Sequence, residues 1–494
     1  MKKILLLVFI AWASLLKAQN ADSIQVYLSE AMNSFDQEGM TVGVIKNGKL
    51  VYQQAFGYAN VELKTQLNVA SVFELASLSK AFTAASLGIL VDNGLIKWDD
   101  PVKKHFPEFK MHDDYVTENM LVEDLLCHRN GYNTFDGDLL WYGTHYSSRE
   151  MVSRFAKLAP KHHFRTEYGY SNLNFINAAI VIENVSGRTW ADFLQDSILK
   201  PLGMNDSYVH LEDFTRRVNK AYPHVGGKTI EFQNFDEAIG AVGVRSNVLD
   251  LAKWASMWMH EGMLPDSTFL LEKSTVHKIF SLHTPQFPSE SNIAEGKLFG
   301  GAALGWFTSL FHGTRLMQHS GGLPGYILNL AIMPEEDLAV VVLTNGETIL
   351  PFAATNYLLE QYLADENPKD WVSTYLPFHE KRKEKKEAIK LNQSPMKVVP
   401  SALVGVYEDK MYGQAEIKMK GNQLHLVFLP TKEYFFSDMK PIGDYAYRIK
   451  FADEFLPEGK LNVEVDANNY PIGFTIDLPN PDFHFYNLNF KKKN

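Results

Sequence analysis

Ser77 and Lys80 stand three residues apart in Ser77-Leu78-Ser79-Lys80, at the start of an apolar stretch. In a helix, three residues make nearly one turn, so the serine hydroxyl and the lysine amine share a face. A serine hydroxyl is a weak nucleophile until a base lies within hydrogen-bond reach. Lysine serves as that base where partial burial and other positive groups lower its pKa toward neutrality. The Ser77 amide, at a helix N-terminus, also points toward developing negative charge. The spacing alone decides nothing. Ser197-Ile198-Leu199-Lys200 has it too, with nothing around it that suggests chemistry.

Two further elements give the pair weight. Tyr170-Ser171-Asn172 lies in the polar, turn-like stretch Glu167–Asn174, ahead of an apolar helix expected at Phe175–Val185. A tyrosine hydroxyl can relay a proton between a serine and a leaving group, and an asparagine amide can donate to and accept from a substrate amide. His319-Ser320-Gly321-Gly322 precedes Leu323-Pro324-Gly325 and a strand expected at Tyr326–Ile332. A glycine-rich edge lets substrate lie close against a strand, and a backbone amide there can form half of an oxyanion hole.

In this order, Ser-x-x-Lys, Tyr-x-Asn and His-x-Gly resemble the serine β-lactamase, D-peptidase and esterase superfamily. The tyrosine makes the chain most similar to class C β-lactamases and their hydrolase relatives. Leu95–Val102, Lys200–Met204 and Gly240–Gly243 with Asp250-Leu251 read the same way, and the resemblance covers about residues 25–365. It implies Ser77 as nucleophile, Lys80 as its base partner and Tyr170 as proton relay. Asn172 would bind the substrate's amide, and the backbone amides of Gly322 and Ser77 would form the oxyanion hole. His128-Arg129-Asn130-Gly131 resembles a family loop that usually reads His-x-Ser-Gly; Asn130 replaces the serine, so the loop is given no catalytic role.

The clearest departure is His319, where the antibiotic-hydrolysing branch has lysine. Histidine is mostly neutral at pH 7 unless a carboxylate raises its pKa, so it holds a substrate carboxylate less firmly. Lowering the pH from about 8 to 6 is therefore expected to charge His319 and favour carboxylate-bearing substrates. The expected reaction is acyl transfer to water on an ester or amide, with a true β-lactamase or a non-turnover penicillin- or peptidoglycan-binding sensor as alternatives. No metal or organic cofactor is implied. His162 and His163 are adjacent and point apart, a poor metal pair.

The elements that must position these groups are legible from pattern. Thr41–Tyr52 has two β-rich runs around Asn47-Gly48, a hairpin signal. An apolar helix is expected from Leu78 to Leu90, ending near Asn93-Gly94, and Leu338–Thr344 reads as a buried strand. Strands at both ends with helices between imply one antiparallel sheet closed by its termini and flanked by helices, an α/β (α+β) fold. Beyond Pro400 the alternation of Ile417, Met419, Leu424, Leu426 and Phe428 around Gly421-Asn422 continues through Leu461–Val465 and Ile472–Ile476. That is a small β-barrel-like unit. The division expected is 1–18 signal peptide, 19–370 hydrolase domain, 371–399 charged linker and 400–494 β-rich accessory domain, with a chain cut near Leu391 folding by itself.

Lys2 and Lys3, a 13-residue apolar run Ile4–Leu16 and a small residue at Ala18 make a secretory signal, so the product is expected to be periplasmic or secreted. The run is too short to span a membrane, which takes about 20 residues. Net charge is −10 over 494 residues, which argues against nucleic acid as a partner and leaves a small-molecule or peptide substrate. Cys127 is the sole cysteine, so no internal disulfide is possible.

Overall fold

The computed structural model describes residues 22–364, 368–384, 396–480 and 482–493. The signal-peptide expectation for 1–18 lies outside them, as does the part of the charged stretch at 385–395. No helix among the described residues is long and apolar enough to cross a membrane.

Strands β1 (Gly39–Lys46) and β2 (Lys49–Asn60) form the expected hairpin. Asn47 and Gly48 both have positive φ (52° and 66°), the two-residue turn whose twist matches the flanking strands. With β3 (Thr65–Gln66), β4 (Thr284–Pro285), β5 (Gly300–Ala302), β6 (Phe307–Phe311), β7 (Thr314–Leu323), β8 (Tyr326–Met333) and β9 (Leu338–Thr344), they make one nine-stranded sheet. Its order is β3-β2-β1-β9-β8-β7-β6-β5-β4, and every pairing is antiparallel. The first strand lies against the last, Val42 opposite Val342, so the sheet is closed by its termini as the pattern implied.

Both faces of that sheet are covered, which is why β9 reads as an unbroken apolar run. Val340 and Val342 face a core shared with α1 (residues 22–34), α5 (Leu350–Leu363) and α6 (Trp371–Glu384). Val341 and Leu343 face the opposite core with α2 (Ser79–Asp92), α3 (Asn172–Ser186) and α4 (Val248–Met259). The stretch expected as a charged linker thus begins as α6, with Trp371 and Tyr375 buried against α5 and the sheet.

The C-terminal unit is a closed eight-stranded barrel: β10 (Gly405–Asp409), β11 (Gly413–Lys420), β12 (Gln423–Phe428), β13 (Phe436–Gly443), β14 (Ala446–Ile449), β15 (Gly459–Val465), β16 (Pro471–Asp477) and β17 (Phe490–Lys492). Closure removes the exposed strand edges that an open sheet of this size would present. Stacked and tilted rings fill it, among them Phe428, Phe435, Phe451, Phe474 and Phe490.

The barrel and the N-terminal unit share one apolar cluster, in which Trp141, Tyr142 and Phe235 meet Phe435, Phe455 and Phe483. Buried polar contacts lock the seam. Tyr142 donates its hydroxyl to Asp453 Oδ2 at 2.9 Å, and Tyr146 donates to the Tyr412 carbonyl at 2.6 Å. Removing the Tyr142 hydroxyl takes a donor from a buried carboxylate without opening a large cavity. Tyr142→Phe should lower the unfolding free energy by about 1–3 kcal/mol in urea titration. A variant as stable as the parent would mean that the seam gains nothing from this bond.

Candidate active site

The approach to Ser77 is held under strain. Ala76 has φ of +50°, a left-handed conformation that costs a residue with a Cβ about 1–2 kcal/mol. Several contacts hold it. The short strand Phe73–Glu74 pairs with Arg245–Ser246, the Leu75 amide donates to the Val244 carbonyl at 2.9 Å, and the Val244 amide donates to Ser79 Oγ at 2.9 Å. Arg245 is buried and reaches Glu74 and Asp236, each at 3.2 Å. Gly321 of β7 presses on the same turn, where a Cβ would come within 2.4 Å of the Leu75 carbonyl oxygen.

Beneath Ser77 sits Lys80, fully buried. Its Nζ lies 3.0 Å from Ser77 Oγ, 2.6 Å from Asn172 Oδ1 and 3.1 Å from the Ala241 carbonyl oxygen. Burial pulls its pKa from the ordinary lysine value down to about 7, with Asp138 opposing the fall. A neutral amine has two N–H bonds and one lone pair. With Asn172 Oδ1 and the Ala241 carbonyl accepting the two protons, the lone pair is left facing the Ser77 hydroxyl.

Asn172 is the first residue of α3, whose N-cap is Ser171. Its amide is engaged at both ends, for Nδ2 donates to Asp138 Oδ2 at 2.6 Å. Lys80, Asn172 and Asp138 therefore form a buried chain in which the amide separates base from carboxylate. Burial raises Asp138 to about 7, while the nearby Trp141 N–H, the bond from Asn172 and the charge of Lys80 act in the opposite direction.

Tyr170 is buried with its hydroxyl toward Ser77, and burial holds its pKa well above the ordinary tyrosine value. The phenol therefore stays protonated near neutral pH. Ser77, Tyr170, Asn172, His319, Gly321 and Gly322 all line one cleft of about 360 Å³. The structure brings together every residue that the three sequence elements nominated, with Lys80 as the floor. It leaves out the second Ser-x-x-Lys pair, since Lys200 is exposed and paired with Asp196. His162 is bound to Asn133 and Glu167 instead.

The Beta-lactamase family profile matches residues 27–364, most of the chain. The chain belongs to that family. Within it, the chain is 29% identical over 399 residues to "Unguisins hydrolase ungD′" of Aspergillus campestris (strain IBT 28561), covering 76% of this chain and 71% of that protein. It is 26% identical over 368 residues to "Penicillin-binding protein 4*" of Bacillus subtilis (strain 168), covering 69% and 77%. The octameric penicillin-binding protein homologue from Pyrococcus abyssi superposes with a TM-score of 0.60 over 95% of this chain and 99% of that one. At 21% identity, that likeness concerns the fold.

The family motif with histidine lies inside β7, on the sheet strand itself rather than on a loop before it. His319 is 2% exposed, and its Nδ1 is 2.6 Å from the Ser320 carbonyl oxygen. That carbonyl can only accept, so the proton sits on Nδ1 and Nε2 carries a lone pair. Burial and the nearby charge of Lys80 push the pKa to about 3. This corrects the expectation that lowering the pH to 6 would charge His319: the imidazole stays neutral across that range.

Two further side chains pack against these groups, although the three sequence elements do not nominate them. Asp138 opens a three-residue 3-10 turn, Asp138–Leu140, too short to show a period, and no motif marks it. His128, in the loop set aside because of Asn130, stacks on the Tyr170 ring at 4.2 Å and accepts the Ser171 amide on Nδ1 at 3.1 Å.

A lysine that takes the Ser77 proton must itself be neutral, so kcat/KM for a neutral ester should rise with pH through about 7 and then level off, as Lys80 deprotonates. Asp138→Asn removes the anion that holds this pKa up, and should move the rising limb to lower pH. A limb that stays in place in a pH-rate profile of that variant would separate Asp138 from the base.

Proposed function

We propose that this β-lactamase-family protein is an exported serine hydrolase that cleaves esters or peptide-like amides through an acyl-enzyme on Ser77. The observation that carries this is the 3.0 Å approach of a buried amine, its pKa near 7, to the serine hydroxyl. Ser77 Oγ attacks the carbonyl carbon as neutral Lys80 takes the hydroxyl proton. The oxyanion is held by the backbone amides of Ser77 and Gly322. Tyr170, kept protonated, passes a proton to the departing alcohol or amine and recovers one from Lys80. Water then attacks the acyl-enzyme and frees the acid. The names of the relatives agree with this, one a hydrolase and one a penicillin binder. Ser77→Ala should lower hydrolysis of any substrate more than about a thousandfold with Tm nearly unchanged. Ser197→Ala, at the second Ser-x-x-Lys pair, should be close to silent. A sensor differs from a hydrolase in the second half of the cycle. Intact-protein mass spectrometry after brief mixing with an acylating probe should show an adduct that disappears, whereas a lasting one would mark a sensor.

Esters and D-amino-acid amides are the better substrates in this reading, and β-lactams the poorer. A neutral imidazole offers a lone pair where a lysine would offer an ammonium, and it cannot pair with a substrate carboxylate. A charge-assisted bond is worth roughly 1.5–3 kcal/mol, on the order of tenfold to a hundredfold in binding. His319→Lys should therefore raise the ratio of cephalosporin to ester kcat/KM. An unchanged ratio would show that position 319 does not read the carboxylate. With the wild type, that ratio should also stay flat between about pH 6 and pH 8, because His319 does not titrate there.

A further inference from the structure

The cleft does not end at the hydrolase unit. Phe455 and Phe483, both from barrel loops, line it together with Ser77, and Phe135 and Trp141 face them from the hydrolase unit. We propose that these four rings form a subsite for an aromatic or bulky apolar group flanking the scissile bond, half of it supplied by the barrel. The proposal rests on the reading of Ser77 as the acylated nucleophile.

The wall is built rather than incidental. The loop bearing Phe455 is fixed by Asp453, a buried carboxylate that accepts the Phe455 amide on Oδ1 at 2.9 Å and the Tyr142 hydroxyl on Oδ2 at 2.9 Å. The loop bearing Phe483 is fixed from the other side. Asp136, 1% exposed in the hydrolase unit, accepts His484 Nδ1 at 3.1 Å and Asn487 Nδ2 at 2.7 Å. Each unit therefore lends one buried carboxylate to pin the other, and each pin sits beside a ring that faces the cleft. Buried carboxylates are costly unless fully bonded, and strands β10–β17 close a barrel without either contact.

The rings are also poised to hold an aromatic guest. Phe483 is buried, with Tyr142 behind it at 4.1 Å between centroids and Trp141 at 5.9 Å, so its position is set by packing. Phe455 meets Phe483 edge-on at 6.1 Å and remains half-buried, as does Phe135. Phe135 in turn is held by its amide, which donates to the Tyr170 carbonyl at 2.8 Å. The same backbone that carries the proton relay thus sets the floor of the subsite. A volume near 360 Å³ exceeds what an acetyl ester fills and suits a ligand of drug-like size.

The test uses the full-length protein and three esters followed by proton release: ethyl acetate, benzyl acetate with its ring on the alcohol side, and ethyl 3-phenylpropanoate with its ring on the acyl side. Phe455→Ala should lower the kcat/KM ratio of one ring-bearing ester to ethyl acetate by about tenfold, the scale of losing one apolar contact in a shaped pocket. Phe455→Tyr should keep the ratio, and so should Phe436→Ala, which alters an exposed barrel ring bordering a different cleft. Ratios in Phe455→Ala that match wild type, or that rise, would overturn the subsite; a rise would make the ring a cap instead. Labelling of Ser77 by a fluorophosphonate keeps the two readings apart. Unlabelled protein sinks the hydrolase reading, whereas labelled protein with unmoved ratios sinks the subsite alone.

Discussion

The amine of Lys80 is buried completely beneath Ser77, and the rest of the site is arranged around that burial. A lone ammonium in a dry interior is expensive enough that it gives up its proton instead. A carboxylate in direct contact would have restored the charge. Here Asp138 acts through the Asn172 amide, close enough to raise the pKa and too far to take the proton. The same field keeps other cations out. His128 and His319 both feel Lys80, both are buried, and both are held neutral. Of these three basic side chains, Lys80 alone can carry a positive charge near pH 7.

Geometry does the remaining work. The left-handed turn at Ala76 aims Ser77 into the cleft, and its strain is borne by neighbours that have little slack. Gly321 has no room for a Cβ, Arg245 is saturated by carboxylates and carbonyls, and Ser79 spends its hydroxyl on the Val244 amide. Gly322, one residue on, faces open space, where a Cβ would meet nothing within 4 Å. Adjacent glycines in β7 therefore serve different ends, one allowing the turn to press in and the other leaving the cleft clear. The Pro324-Gly325 turn then returns the chain into β8, which fixes the register of His319 opposite Leu330.

Much of this was legible in the sequence. Alternation and apolar runs placed β1, the turn into β2, β9 and the barrel strands β11, β12, β15 and β16, because burial on one face or both writes itself into every position; β2 runs on to Asn60, beyond the hairpin read at Tyr52. The ordered elements around Ser77, Tyr170 and His319 marked the cleft, since chemistry restricts residue type as strongly as packing does. What failed to show were contacts between segments with no period of their own. Asp136 and Phe455 lie in loops and Asp138 in a single 3-10 turn, and their partners are distant in the chain; Tyr142 and Asp453 are 311 residues apart. The charge of His319 was misjudged for a related reason. A reference pKa carries no burial, and only the packed strand supplies it.

The pairing of β1 with β9 has a kinetic side. Val42 meets Val342 across the centre of the sheet, so the pairing must wait until some three hundred intervening residues have been made. Contacts of such long sequence separation form slowly, because the loop they close must be ordered first. Until β9 arrives, β1 presents a largely apolar strand with one unpaired edge, the kind of surface on which chains associate with one another. A product truncated before Leu338 would keep Ser77, Lys80, Tyr170 and His319 and still lack the strand that seals the sheet behind them. For this fold, the last strand of the hydrolase unit decides whether the first one ends in a core or in an aggregate.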